Sequence, residues 1–200
     1  MTLKQLIARV MRALPNLPPG AIGEPEIIDM LNEAQRSLAI LSNRINTKET
    51  TLLAGVDTVN FPTDLMKLVA VYWGDAKTKR ELYPEKERLP TDNYAEEDTG
   101  WPVKYYTITK KVVLRPIPTQ GNTVTIAYIG KPVDMVEDAD LPDLDGSDEY
   151  LIAHALHRIH LEANSQAFQI WEMEKMRAEQ EWRASSDQNY EVPFNVTGSW

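Results

Sequence analysis

The residues best suited to chemistry are the three histidines, which lie close together in the sequence. On a helix, His154 and His157 share one face, whereas His160 is rotated further round. Two histidines one turn apart can bind a metal ion. The usual helical zinc signature, however, spaces its histidines by four residues with a glutamate between them, and that arrangement is absent here. A structural role on a partly buried helix is favoured, so we predict no metal site and no cofactor.

A second candidate is the acidic segment Asp134–Glu149, which holds eight acidic side chains and no basic one. Part of it resembles an EF-hand calcium loop. Placing Gly146 at the loop glycine puts Leu141 at the first ligand position and Ile152 at the last, so the match fails. The alternatives are a solvated loop or an electronegative surface that faces a partner. The candidate contact residues are Glu137, Asp138, Asp140, Asp143 and Asp145.

Motifs of common enzymes are missing from the sequence. It has no Gly-x-Ser-x-Gly elbow, no phosphate-binding glycine loop and no Rossmann fingerprint. The chain has no cysteine, which excludes a disulfide framework, a thiolate zinc site and a cysteine nucleophile. Glycoside hydrolysis needs two carboxylates facing a cleft, and among 30 acidic side chains such pairs arise by chance. We therefore predict that the chain is not an enzyme.

Net charge and hydropathy restrict the classes of partner that the chain is expected to bind. The formal net charge is −9, from 21 basic and 30 acidic side chains. Such a chain is poorly suited to wrapping nucleic acid, because that affinity comes from lysine and arginine displacing counterions. It suits a surface past which DNA moves without sticking. We see no secretory signal and no apolar run near the ~20 residues that span a bilayer, so no membrane partner is expected.

Hydrophobic periodicity predicts the helices and strands that position these residues. Leu3 to Leu14 has helical spacing, and a second helix should begin near Glu24, with Pro25 in its first turn. Residues 75–100 are polar and should have little regular structure. The segments with strand character suggest an antiparallel sheet of about five strands. These segments are Thr50 to Leu53, Thr58 to Phe61, Leu68 to Trp73, Lys104 to Thr109, Val112 to Arg115 and Thr123 to Ile129.

The C-terminal part of the sequence combines a long helix with an aromatic tail. A helix from about Asp148 to Ala184 would be roughly 55 Å long, so its charged second half should project from the body. Apolar side chains on an extended end are costly unless a partner covers them, although fraying is the alternative. The candidate anchors are Tyr190, Val192, Pro193, Phe194, Val196 and Trp200.

Several short motifs occur in an order that resembles a known family. The first runs from Phe61-Pro62-Thr63-Asp64 into an apolar stretch that ends at Val71. The others are Gly100-Trp101-Pro102 before Tyr105-Tyr106, Leu114-Arg115-Pro116-Ile117-Pro118, Thr125 to Tyr128 before Lys131-Pro132, and Leu141-Pro142 before a helix. Together they resemble the head-to-tail adaptor (connector) proteins of tailed bacteriophages, over about residues 24 to 180.

The resemblance implies an α+β fold: a helical bundle with a long C-terminal helix and an inserted small antiparallel β domain. Combined with the element order, it predicts helical regions at 1–47 and 148–185, a β-rich insertion with the acidic loop at 48–147, and an extended tail at 186–200.

The resemblance also implies a function. Such subunits form a ring, commonly dodecameric, beneath the portal, and DNA passes through the lumen without specific binding. The expected partners are the portal protein, a tail or nozzle protein and further copies of the chain. The tail should reach the portal, and the acidic loop should face the lumen or a partner. The location would be the virion neck, after assembly in the host cytoplasm. The alternative is a cell-wall (peptidoglycan) hydrolase associated with the phage tail.

Overall fold

The structure is a computed structural model that describes residues 1–14, 22–42, 44–75, 77–85, 99–163 and 165–186. The chain divides into two compact units. The first unit comprises Met1–Arg44 and Lys131–Trp200, and the second comprises Ile45–Gly130. The described residues form four helices and ten strands. The helices are α1 (Leu3–Arg12), α2 (Glu24–Leu41), α3 (Asp148–Glu162) and α4 (Phe168–Ser186).

In the first unit, α1 and α2 begin at residues that favour the start of a helix. The hydroxyl of Thr2 accepts a hydrogen bond from the Gln5 amide, and the Gln5 side chain accepts one from the Thr2 amide. Helix α2 begins at Glu24 as predicted, and Pro25 occupies its first turn. Both helices bury one apolar face, which includes Leu6 of α1 and Leu31 of α2.

The C-terminal part of the first unit contains two helices where we predicted one long helix. The helical hydrogen bonds stop at Ala163, and the Ser165 hydroxyl accepts a hydrogen bond from the Ala167 amide. A serine that bonds locally to the backbone competes with helix continuation. Helix α4 does not project from the body, because it packs against α3 and buries Trp182.

The described residues of the second unit form three sheets. Their strand orders are β1-β10-β3-β4, β2-β8-β7-β5 and β6-β9. The core is formed by buried side chains that include Trp73, Leu82, Leu114 and Ile126. The strands are β1 (Asn46–Leu52), β2 (Thr58–Asn60), β3 (Leu65–Trp73), β4 (Arg80–Glu81), β5 (Tyr83–Pro84), β6 (Thr99–Gly100), β7 (Lys104–Ile108), β8 (Lys111–Arg115), β9 (Ile117–Pro118) and β10 (Asn122–Gly130).

The predicted fold class is therefore wrong. The part of the chain that the structure describes has four helices, the longest of 19 residues, and ten strands in three sheets, and it shows no long C-terminal helical bundle. The prediction of a single antiparallel sheet of about five strands is also wrong, because the described strands form three sheets and both β5-β7 and β6-β9 pair in parallel. Strands β4, β5 and β6 lie within residues 75–100, for which we predict little regular structure, because strands of two residues have no readable periodicity.

Candidate partner-binding surface

The acidic segment is held against α2 by two buried amide side chains. Asn32 donates a hydrogen bond of 3.0 Å to the Met135 carbonyl and accepts one of 2.8 Å from the Met135 amide. Gln35 donates to the Val133 carbonyl at 3.4 Å and accepts from the Asp143 amide at 2.9 Å. The Gln35 side chain therefore bonds to the backbone at both residue 133 and residue 143. We call residues 133–145 the acidic loop.

Helix α1 fixes the acidic loop from its other side. The Leu3 amide donates to the Asp140 carbonyl at 2.8 Å, and the Lys4 amide donates to the Asp138 carbonyl at 3.2 Å. These are first-turn amides that have no partner within the helix. The Asp140 carboxylate accepts from the amides of Val136 and Glu137, and these bonds to the charged form lower its pKa. The loop thus has a fixed backbone although it contains no helix or strand.

Three of the five predicted contact carboxylates have partners within the first unit, and two have none among the described residues. Asp138 pairs with Lys4 at 2.9 Å, and Asp143 pairs with Arg44 at 3.4 Å. Asp140 is used by the loop backbone. In the regions the structure covers, no basic side chain lies within ion-pair distance of Glu137 or Asp145, and both are exposed. Only these two carboxylates of the predicted set keep their full charge available to a partner.

The other three acidic residues of the segment form ion pairs within the first unit. Asp134 pairs with Arg36 at 3.0 Å and with Lys131 at 2.6 Å. Asp148 lies 2.8 Å from the amino group of Met1, and Glu149 lies 2.6 Å from Arg9. Surface pairs of this kind contribute little to stability individually, about 0–1 kcal/mol. They do reduce the charge that the segment presents to its surroundings.

Three aliphatic side chains on the acidic loop were not anticipated from the sequence. Val133, Val136 and Leu141 are 76%, 73% and 66% exposed, whereas Met135 and Leu144 of the same loop are buried. Exposed apolar side chains on a fixed backbone are typical of a surface that another molecule covers. The acidic loop therefore combines aliphatic side chains with unpaired carboxylates.

The histidines lie in separate environments. His154 is 8% exposed, and neither of its ring nitrogens has a hydrogen-bond partner among the described residues. Burial, assisted by the charge of Lys175, lowers the pKa of His154 to about 4. Burial also lowers the pKa of His157. The His160 ring stacks on Trp171, with centroids 6.4 Å apart. Within the described ranges, no group of three histidine or carboxylate side chains is placed to hold a metal ion.

The predicted tail anchors Tyr190, Val192, Pro193, Phe194, Val196 and Trp200 lie outside the described residues. Of the helices that the structure describes, none has the length and apolarity needed to cross a membrane.

The family model described as SU10 adaptor protein matches residues 1–196. No curated protein matches the chain.

Proposed function

Because the chain belongs to the SU10 adaptor protein family, a family of phage head-to-tail adaptors, we propose that it forms a ring beneath the portal. In this proposal the ring connects the capsid to the tail and lets DNA pass. The family match, over residues 1–196, carries the proposal. It confirms the resemblance that the motifs indicated, and it makes the chain a structural adaptor protein of a phage. The family also implies interaction with portal and tail proteins in the virion neck.

The acidic loop supports the part of the proposal that concerns assembly. Its backbone is fixed by α1 and α2, and its exposed aliphatic side chains are Val133, Val136 and Leu141. A surface built in this way loses little conformational freedom when a partner covers it. A closed ring, in the expected dodecameric form, requires each copy to present two different complementary surfaces.

The charge distribution supports passage of DNA without specific binding. The first unit contains 10 basic and 19 acidic side chains, and the second contains 11 of each, so the first unit accounts for the net charge of −9. The net negative charge of such a unit repels phosphate groups. The unit also has no excess of lysine or arginine to displace counterions from DNA. We propose that part of this acidic surface lines the lumen.

The C-terminal tail is the proposed portal-binding segment, through its six apolar anchors from Tyr190 to Trp200. Large apolar and aromatic side chains dominate the binding energy of many interfaces. Deletion of residues 187–200 should abolish co-sedimentation with the portal protein of the same genome. The thermal unfolding midpoint should stay near that of the full chain, since the deletion starts after α4.

Two controls make the deletion experiment decisive. A Y190S/F194S/W200S variant keeps the length of the tail and should also lose portal binding, whereas D187N/Q188A should keep it. Portal binding by the truncated chain at full-length affinity would remove the tail from the proposal. Failure of the full-length chain itself to co-sediment with the portal would contradict the proposed function.

A further inference from the structure

We propose that the acidic loop of one copy binds the tip of the β7-β8 hairpin of a neighbouring copy. We call residues 108–111 the hairpin tip. The inference rests on the proposed function, because it names the contact that joins neighbouring subunits of the ring. The two surfaces belong to different units of the chain, the loop to the first and the tip to the second.

The hairpin tip is basic and carries one exposed aliphatic side chain. Lys110 and Lys111 are exposed, and no ion pair among the described residues involves either of them. Ile108, which pairs with Lys111 across the hairpin, is 38% exposed. The tip therefore offers two unpaired positive charges beside an apolar group, the complement of what the acidic loop offers.

The backbone of the tip is held in an unusual conformation. Thr109 and Lys110 have φ values of 46° and 62°, so both central residues of this two-residue turn are left-handed. Asparagine and glycine are the usual residues at such positions, and a β-branched threonine is strongly disfavoured there. The Phe61 amide donates a hydrogen bond of 2.9 Å to the Lys110 carbonyl and helps to fix the turn. Strained residues cluster where a surface has a function other than folding.

Charge complementarity identifies a second copy of this chain as the occupant. The first unit has a charge of −9 and the second a charge of zero, so contact between two first units is repulsive. Contact between a first unit and the basic tip of a second unit is attractive. Such a contact joins two different surfaces of identical chains, which is the head-to-tail geometry that closes rings.

The proposed contact has an apolar centre and a charged rim. Ile108 of one copy would pack against Val133, Val136 and Leu141 of the next. Lys110 and Lys111 would face Glu137 and Asp145, the two loop carboxylates that have neither a basic partner nor a hydrogen bond in the described part of the chain. Apolar centres with polar rims are typical of specific interfaces, and the charged rim selects partner and orientation.

The test is a charge exchange between the two surfaces. The tip-reversed variant is K110E/K111E, and the loop-reversed variant is E137K/D145K. All four side chains are exposed, so the fold should be kept, as thermal unfolding of each variant would check. Ring formation would be measured by mass photometry of the chain alone and with portal protein. Each variant alone places like charges in contact, and ring formation should require a protein concentration more than about tenfold higher than wild type.

An equimolar mixture of the two variants distinguishes contact between copies from a general charge effect. Alternating copies restore opposite charges at every contact, so the mixture should form rings near the wild-type concentration. A variant that carries all four substitutions should form rings near the wild-type concentration without a second protein. The matched control is K67E/K77E, which changes the same number of exposed lysines of the second unit and should behave as wild type.

The outcomes separate this inference from the proposed function. If wild type forms rings and the tip-reversed variant forms them as readily as the control, the inference is wrong and the ring stands. If the loop-reversed variant loses portal or tail binding but keeps self-association, the loop contacts that other partner and the inference is also wrong. If wild type forms no ring alone or with the portal, the proposed function fails, and the contact between copies fails with it.

Discussion

At the scale of single residues, His154 is the clearest case of a group that looks chemical but is structural. Its ring is buried, lies 5.8 Å from the Tyr150 ring, and has no hydrogen-bond partner on either nitrogen in the described chain. Burial holds its pKa at about 4, so the ring is neutral at ordinary pH. The same burial raises the pKa of Tyr150 to about 12. Both side chains act as packing groups of the first unit.

This environment predicts an acid-dependent loss of stability. The folded-state pKa of His154 is about 4, whereas the ordinary value is 6.5. The stabilisation that comes from burying the neutral His154 ring is fully present above pH 6.5. It is lost between pH 6.5 and 4, because in that window the unfolded chain binds a proton at His154 and the folded chain does not. Between pH 7 and 5 the free energy of unfolding should fall by roughly 2 kcal/mol on account of this group.

The measurement is urea unfolding of wild type and H154L at pH 7 and pH 5. Between pH 7 and pH 5, the free energy of unfolding should fall by roughly 2 kcal/mol more in wild type than in H154L. H160Q, which replaces the ring stacked on Trp171, should show the same fall as wild type. Equal losses in wild type and H154L would show that other groups cause the acid sensitivity. The groups whose charges act on His154 are Lys175, Glu33, His157 and Arg158.

The residues that fix the candidate surface were only partly visible in the sequence. Acidic composition identified the segment Asp134–Glu149, which contains most of the loop, because eight carboxylates without a basic residue cannot be buried. Asn32 and Gln35 were missed, although polar residues beside the apolar stripe of α2 were the available signal. The exposure of Val133, Val136 and Leu141 could not be read from the sequence, since it depends on which loop residues the helices cover.

At the scale of elements, the sequence identified the features that have strong local signals. Helices α1 and α2 and the β7-β8 hairpin follow from apolar spacing and alternation. The division of the C-terminal helix was missed because Ser165 is a weak signal by itself. The sequence of α4 does contain an apolar stripe, formed by Trp171, Ala178 and Trp182, which favours packing against another element. The many charged residues of this helix obscured that stripe.

The packing of α4 gives a prediction at this scale. Trp182 is 5% exposed, and its indole nitrogen donates a hydrogen bond of 3.0 Å to the Asp145 carbonyl. W182A should lower the free energy of unfolding by about 3–5 kcal/mol, the usual cost of removing a buried tryptophan. The matched control is M173A on the exposed face of the same helix, which should change it by less than about 1 kcal/mol. Denaturant unfolding of both variants tests this, and similar losses would mean that α4 does not pack through Trp182.

In the molecule as a whole, three features point to the same role. The family match identifies a phage head-to-tail adaptor. The net charge of −9 belongs to one unit of the chain, and the other unit is neutral. A fixed acidic loop and a basic hairpin tip then provide two complementary surfaces on one polypeptide. Together they support a ring of identical subunits whose acidic surfaces allow DNA to pass.

The proposed function requires that the chain form a ring layer on the portal. Negative-stain electron microscopy of the portal protein from the same genome, with and without this chain, tests it directly. We predict an additional ring of density on one end of the portal, coaxial with its channel, when the chain is present. A portal that stays bare over a range of salt concentration and pH, with the chain folded and in excess, would contradict the account.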